Sequence, residues 1–277
     1  MEQMERSNHH IVHKNWQFLN ATTLKLIAAA LMFLDHIHQM FVAAGAPVWL
    51  NMVGRLVFPM FLFAAADSFY YTRSKKKYLQ RLLIASICMV LFTTILQQVL
   101  PNKTVVLMNN AFGTFFVAGL YMLFWDWLVA GIRNKSRKQV IKAILCCFVP
   151  ILTALPLLLT GLLAANASVP AAAIRLLALL SLLIPNVFAV EGGVAFVLLG
   201  VLFYIFRNQR GMQIVFLFAL SAAIYLADSS NIQWMMCFAA IPMLLYNGEK
   251  GRGLKYFFYI FYPAHIGLLY ILSTLLV

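Results

Sequence analysis

The sequence predicts an all-α protein, a polytopic transmembrane helix bundle of about 9–10 spans. Three observations carry that prediction. Apolar residues make up 63% of the 277-residue chain and charged residues only 10%, with a mean hydropathy of +0.86; a soluble domain holds far more charge. Apolar stretches approaching the roughly 20 residues needed to cross a bilayer recur at 25–44, 50–71, 82–100, 111–132, 141–163, 172–190, 192–206, 212–227, 232–246 and 256–277. Most of the basic residues fall between those stretches or at their edges, with Arg55 and Arg175 the exceptions inside them.

Taken in order, residues 1–22 read as a cytoplasmic N-terminal tail and residues 23–277 as one transmembrane domain. The tail holds His9, His10 and His13, but H-H-x-x-H without a glutamate lacks the zinc-protease pattern, so a loose tail is expected rather than a metal site. The first apolar segment is too long, and too polar at its centre, for a cleaved signal peptide. The net charge of +13 would suit a nucleic-acid binder, yet its distribution speaks for membrane topology and against nucleic acid. All lysines and arginines except Arg55, Lys103 and Arg175 fall in five clusters: the N-terminal region through Lys25, 73–81, 133–142, 207–210 and 250–255. The positive-inside rule puts all five in the cytoplasm, so an even number of crossings must separate each pair. Only the interval between Lys142 and Arg207, with three apolar stretches, breaks that rule. Segment 172–190, which contains Arg175 and Pro185, is therefore expected not to cross. That leaves nine crossings, the N-terminus inside and the C-terminus outside; were the segment to cross, the C-terminus would be inside.

Several ionisable residues then lie at membrane depth. Asp35, His36 and His38 occupy the first span, Arg55 the second, and His265 the last, with Tyr259 and Tyr262 on its helical face. Asn109, Asn110 and Glu191 begin spans from the outer side. A charged group at such depth costs at least ~2.5–3.5 kcal/mol, so these residues are expected to converge on one polar site. Asp35 reads as a structural partner of Arg55, a role that does not exclude orienting a histidine as well. His36 is the candidate reacting group. His38, three residues beyond Asp35, reads as a satisfied hydrogen-bond partner, and His265 as a core histidine bonded to tyrosine or as a second functional histidine. The same set suits a proton relay in a secondary transporter, although no inverted repeat is visible. A non-catalytic scaffold would have no need to accept the insertion cost.

The remaining polar features read as structural. Asp126 between Trp125 and Trp127 fits an interfacial aromatic belt, and Asp67 fits capping or pairing with the basic loop nearby. Cys88, Cys146, Cys147 and Cys237 lie in apolar stretches without metal-ligand spacing or a disulfide framework. No P-loop, dinucleotide-binding glycine pattern or zinc signature is present.

Three blocks resemble a known family. "LKLIAAALMFLDHIHQMF", "GRLVFPMFLFAAADSFYYTRSKKKYLQRLL" and "LLYNGEKGRGLKYFFYIFYPAHIGLLYIL" are together similar to the TraX family of integral membrane proteins. The matched positions are Asp35, His36, Gly54, Arg55, Pro59, Asn247, Gly248, Gly251, Tyr262, Pro263 and His265, while 133–185 carries no matching motif. The resemblance implies a bacterial cytoplasmic-membrane protein associated with pilin acetylation in conjugative systems. The implied chemistry is acyl transfer from acetyl-CoA or another acyl-CoA to an extracytoplasmic peptide, glycan or lipid acceptor. Asp35, His36, Arg55, Tyr262 and His265 would be the catalytic group, with no metal. Arg73, Lys75, Lys76 and Lys77 of the first basic loop, and Gly248, Lys250, Gly251, Arg252 and Lys255 of the last, would hold the donor's phosphates. Such loops also fix topology and bind anionic lipids.

Overall fold

A computed structural model describes residues 16–164 and 169–276, and all regular structure among them is helical. The helices are α1 (Ala21–Phe41), α2 (Trp49–Gly54), α3 (Val57–Tyr71), α4 (Lys75–Val99), α5 (Ala111–Arg133), α6 (Arg137–Leu152), α7 (Leu155–Ala164), α8 (Ala171–Leu183), α9 (Gly193–Ile205), α10 (Arg210–Ala227), α11 (Ala240–Leu245) and α12 (Lys255–Leu276), with 3-10 turns at Val42–Ala44 and Ile232–Ala239. The tail histidines and the side chain of Lys255 lie outside the described residues.

The ten apolar stretches of the sequence return as ten helical units. Seven are long and apolar enough to cross a membrane, and three, Ala171–Leu183, Gly193–Ile205 and Ile232–Leu245, are shorter. Segment 172–190 accordingly does not form a full-length span: its helix ends at Leu183, ahead of Pro185. Helix α9 has 13 residues, about 20 Å at 1.5 Å per residue against a hydrocarbon core of about 30 Å. It packs against α3, α5 and α10 and buries Leu199, Phe203 and Tyr204 completely. Its even hydrophobicity therefore reflects burial among other helices.

Local sequence sets the helix ends. The Asn20 carboxamide accepts from the Thr22 and Thr23 N–H groups, both at 3.0 Å, which starts α1. Asn110 does the same for α5 through Gly113 at 3.4 Å, and Ser74 for α4 through Lys77 at 3.3 Å; these are short polar side chains in the N-cap role. The second span breaks at Arg55 and Leu56, between α2 and α3, which frees Arg55 to turn inward. The break sits against α1 because Gly54 has no side chain: a Cβ there would lie 2.2 Å from Asp35 Cγ.

The start of the described chain is joined to the loop ahead of α12. Leu19 and Tyr246 form a parallel bridge, Asn247 N–H donates to Leu19 O at 2.8 Å and Ala21 N–H to Glu249 O at 2.8 Å, and the Thr22 hydroxyl donates to the carbonyls of Lys250 and Arg252, at 3.1 and 2.5 Å. Gly251 has a φ of +68°, and a Cβ on it would meet Asn20 Oδ1 at 2.3 Å. Its lack of a side chain serves this clasp between loop and helix start.

Candidate functional site

Helix α1 supplies Asp35, His36 and Gln39; the break before α3 supplies Arg55; the extended segment before α5 supplies Asn109; and α12 supplies Tyr262 and His265. His36 and His265, 5% and 4% exposed, meet with His36 Nδ1 2.7 Å from His265 Nε2. Their neutral protonation pattern follows from chemistry. His265 Nδ1 lies 2.6 Å from Phe261 O, and a carbonyl only accepts, so that nitrogen carries the hydrogen. His265 Nε2 is then an acceptor and takes the N–H of His36 Nδ1. The remaining nitrogen, His36 Nε2, keeps a lone pair, which Asn109 Nδ2 approaches at 3.3 Å. Asn109 is oriented by Gln39: the two carboxamides exchange hydrogen bonds, both at 3.1 Å. The arrangement is a hydrogen-bonded file ending on one basic nitrogen.

Asp35 does not orient His36. Its Oδ1 accepts from Arg55 Nη2 at 2.8 Å, in a pair whose side chains are 20% and 25% exposed. Arg55 also donates from Nε to Asn51 O at 3.1 Å and from Nη1 to Gln233 Oε1 at 2.9 Å. Of the two readings of Asp35, the structure shows the helix-joining one; Arg55 remains within charge range of His36. His38 lies 3.1 Å from Ala46 O, a structural contact, although with a carbonyl rather than with Asp35.

Tyr262 lies beside both histidines, its ring 6.4 Å from His36 and 6.0 Å from His265. Its oxygen accepts from Ala111 N–H at 3.1 Å and it is hydrogen-bonded to Glu191. Because Glu191 in turn accepts from Asn110 N–H at 3.1 Å, the phenolic proton is engaged by a carboxyl rather than free for substrate. Asn110 is likewise committed, to the Ser86 hydroxyl and carbonyl at 2.9 and 3.3 Å. Of the two adjacent asparagines, Asn109 therefore serves the histidines and Asn110 the helix start.

Glu191 sits in the segment joining α8 and α9, where burial pushes its carboxyl up to about 7 from the usual 4.5, against the opposing Asn110 N–H. A carboxyl raised in this way binds protons more readily folded than unfolded. Its stabilisation is complete below pH 4.5 and is lost as pH rises through about 7. The melting temperature of the wild type relative to Glu191→Gln should therefore fall across that window in a thermal-shift series, and a flat difference would show that Glu191 is not buried in this way.

The two basic loops lie at the opposite end of α1 from the histidines. Lys75 forms an ion pair with Asp126, which also accepts from Tyr204 OH at 2.7 Å. Asp126 is thus a partner in a half-buried ion pair as well as a neighbour of two tryptophans, and Lys75 is already engaged. Arg73, Lys76 and Lys77 are exposed, as are Lys250 and Arg252. Gly248 has a φ of +83°, and Gly251 faces Asn20 as described. Asp67 bonds the Tyr246 hydroxyl at 2.7 Å rather than its own loop.

Residues 20–273 match the family described as TraX protein. The chain belongs to the TraX family. It is also similar to the probable fimbrial assembly protein FimC, serogroup H1, of Dichelobacter nodosus, at 27% identity over 269 residues that cover 90% of this chain and 94% of that protein. No solved structure matches. The site residues Asp35, His36, Arg55, Tyr262 and His265 of this TraX protein all fall within the matched span. Sequence reasoning placed Asn109 and Asn110 together at the polar site without telling their roles apart, and passed over Gln39 and Gln233; Gln39 lies one turn beyond His36, a spacing that signals a shared face, but nothing marks Gln233.

Proposed function

We propose that this TraX protein is an integral membrane acyltransferase, with acetyl-CoA or another acyl-CoA as donor and an amine or hydroxyl of an exported or cell-envelope acceptor, such as a pilin-like peptide, as the recipient. The observation that carries the reading is the buried His36–His265 pair, whose geometry leaves a single unprotonated nitrogen on His36. The similarity to a probable fimbrial assembly protein supports an acceptor from a surface-assembly system.

In the reaction, the acceptor takes the place of Asn109 at His36 Nε2, which removes its proton as the amine or hydroxyl attacks the thioester carbonyl. His36 becomes an imidazolium whose Nδ1–H stays bonded to His265, so the charge has a partner without rearrangement. Collapse of the tetrahedral adduct expels the coenzyme A thiolate, and the His36 proton neutralises it. Arg55 has N–H groups beyond its three hydrogen bonds and supplies positive charge near the developing oxyanion. The basic end of the bundle is read as cytoplasmic and the histidine end as accessible to an acceptor from outside.

The test is transfer or hydrolysis of radiolabelled acetyl-CoA by the purified protein in nanodiscs. Label transferred or released by wild type and lost in His36→Ala, with an unchanged gel-filtration profile, supports the enzyme. A protein that turns over no acetyl-CoA but drives His36-dependent proton flux in liposomes is instead the proton-coupled transporter for which the same histidine pair would be the relay.

A further inference from the structure

Near the basic end of the bundle, Arg210 opens α10 with its guanidinium 4.3 Å above the Phe63 ring and 5.2 Å from that of Tyr246, while its buried Nη1 has no hydrogen-bond partner. Three residues earlier, Arg207 lies 4.1 Å over the Tyr70 ring and donates from Nη1 to Tyr204 O at 3.1 Å, and its buried Nε is also unsatisfied. Lys25 of α1 donates to the Ser68 hydroxyl at 3.1 Å. Lys25 and Arg210 both lie within charge range of Asp67, and Lys250 within range of Lys25. Yet among the described residues the ion pairs within 4 Å are Arg55–Asp35 and Lys75–Asp126. The one carboxylate of the group is bonded to Tyr246 instead. Lys25 and Arg210 thus share the field of one acid, Arg207 lies within charge range of Tyr71 as that acid also does, and Arg207 Nε and Arg210 Nη1 are buried without acceptors among the described residues. A buried charge and a buried donor left in that state are each costly, and aromatic faces hold guanidinium planes in place without using up their edges. This is the chemistry of a site that awaits an anion.

We propose that Lys25, Arg207 and Arg210 form the receptor for the phosphate groups of the acyl donor. The inference rests on the acyl-transfer reading and moves the anion site away from the exposed Arg73, Lys76 and Lys77. Lys25 and His36 lie on the same helix, eleven residues apart, about 16 Å at 1.5 Å per residue. A donor anchored by its phosphates at one end thus has its thioester carried toward the histidine by an extended pantetheine arm. Membrane-lipid phosphate offers the same chemistry, and the two sources are separable.

The experiment is calorimetric titration of coenzyme A, and of adenosine 3′,5′-bisphosphate as competitor, into the full protein in zwitterionic-lipid nanodiscs. Wild type and Lys138→Gln, which removes an exposed charge from another basic loop, should bind alike, and the bisphosphate should compete. Arg207→Gln and Arg210→Gln should each weaken binding at least tenfold, and Arg210→Lys, which keeps the charge and guards against a folding artefact, should weaken it less. Binding unchanged in the arginine variants, or a bisphosphate that does not compete, overturns the proposal even if acetyl transfer is observed. Binding lost in the arginine variants but without any acetyl turnover upholds the anion site and removes the acyltransferase. A wild type that ignores coenzyme A but retains anionic lipid through purification, with retention lost in the arginine variants, identifies a lipid site and overturns the donor assignment.

Discussion

Phenylalanine in place of His265 should lower acetyl transfer on the order of 10²-fold or more while leaving the protein folded and its affinity for donor unchanged. His265 contributes an acceptor to His36 Nδ1–H; without it, His36 is free to take the tautomer that buries its basic nitrogen. The expected loss therefore falls on kcat, not on donor KM, because the interaction matters as charge develops on His36. Glutamine at the same position restores a carbonyl acceptor and should recover part of the activity. Equal losses in both variants, or losses confined to KM, would mean that His265 packs against His36 without orienting it.

Leucine in place of Arg55 should lower unfolding stability by about 2–3 kcal/mol, somewhat less than the roughly 3–5 kcal/mol for stranding a fully buried charge because the pair is partly solvated. The variant leaves Asp35 without its partner and releases Gln233 and the Asn51 carbonyl. Asp35→Leu should cost a similar amount, and the double variant less than the two singles together, since neither charge then remains. A denaturation series on the four proteins gives the coupling. Strict additivity would show that Asp35 and Arg55 do not hold α1 to the second span.

The helical units were legible because hydrophobic runs, asparagine caps and proline breaks are local signals. Asn20 and Asn110 show this: each is a short polar residue just ahead of an apolar run, and each caps a helix. Had that role been given to Asn110 from the start, Asn109 would have stood out as the asparagine left for the site. What could not be read was pairing across the chain. His36 and His265 stand 229 residues apart, and no periodicity reports which helix face meets which. The same limit hid the ion pair of Lys75 and Asp126, on different helices, and gave Gly251 an anticipated ligand contact where the structure has Asn20. Arg207 and Arg210 were visible as a topology signal, but their stacking on Tyr70, Phe63 and Tyr246 depends on two other segments, α3 and the end of α11.

The clasp that ties 245–252 to 19–22 bears on the order in which this protein is made. Asn20 and Thr22 leave the ribosome more than two hundred residues before the loop that binds them, and His36 precedes its partner by almost the whole length of synthesis. Asp35 finds Arg55 and Asn109 finds Gln39 within the first half of the chain, but His36 waits for the last helix. Chains stalled before residue 245 should therefore have neither the clasp nor the histidine pair, whereas chains stalled between residue 252 and His265 hold the clasp but leave His36 without its partner at membrane depth.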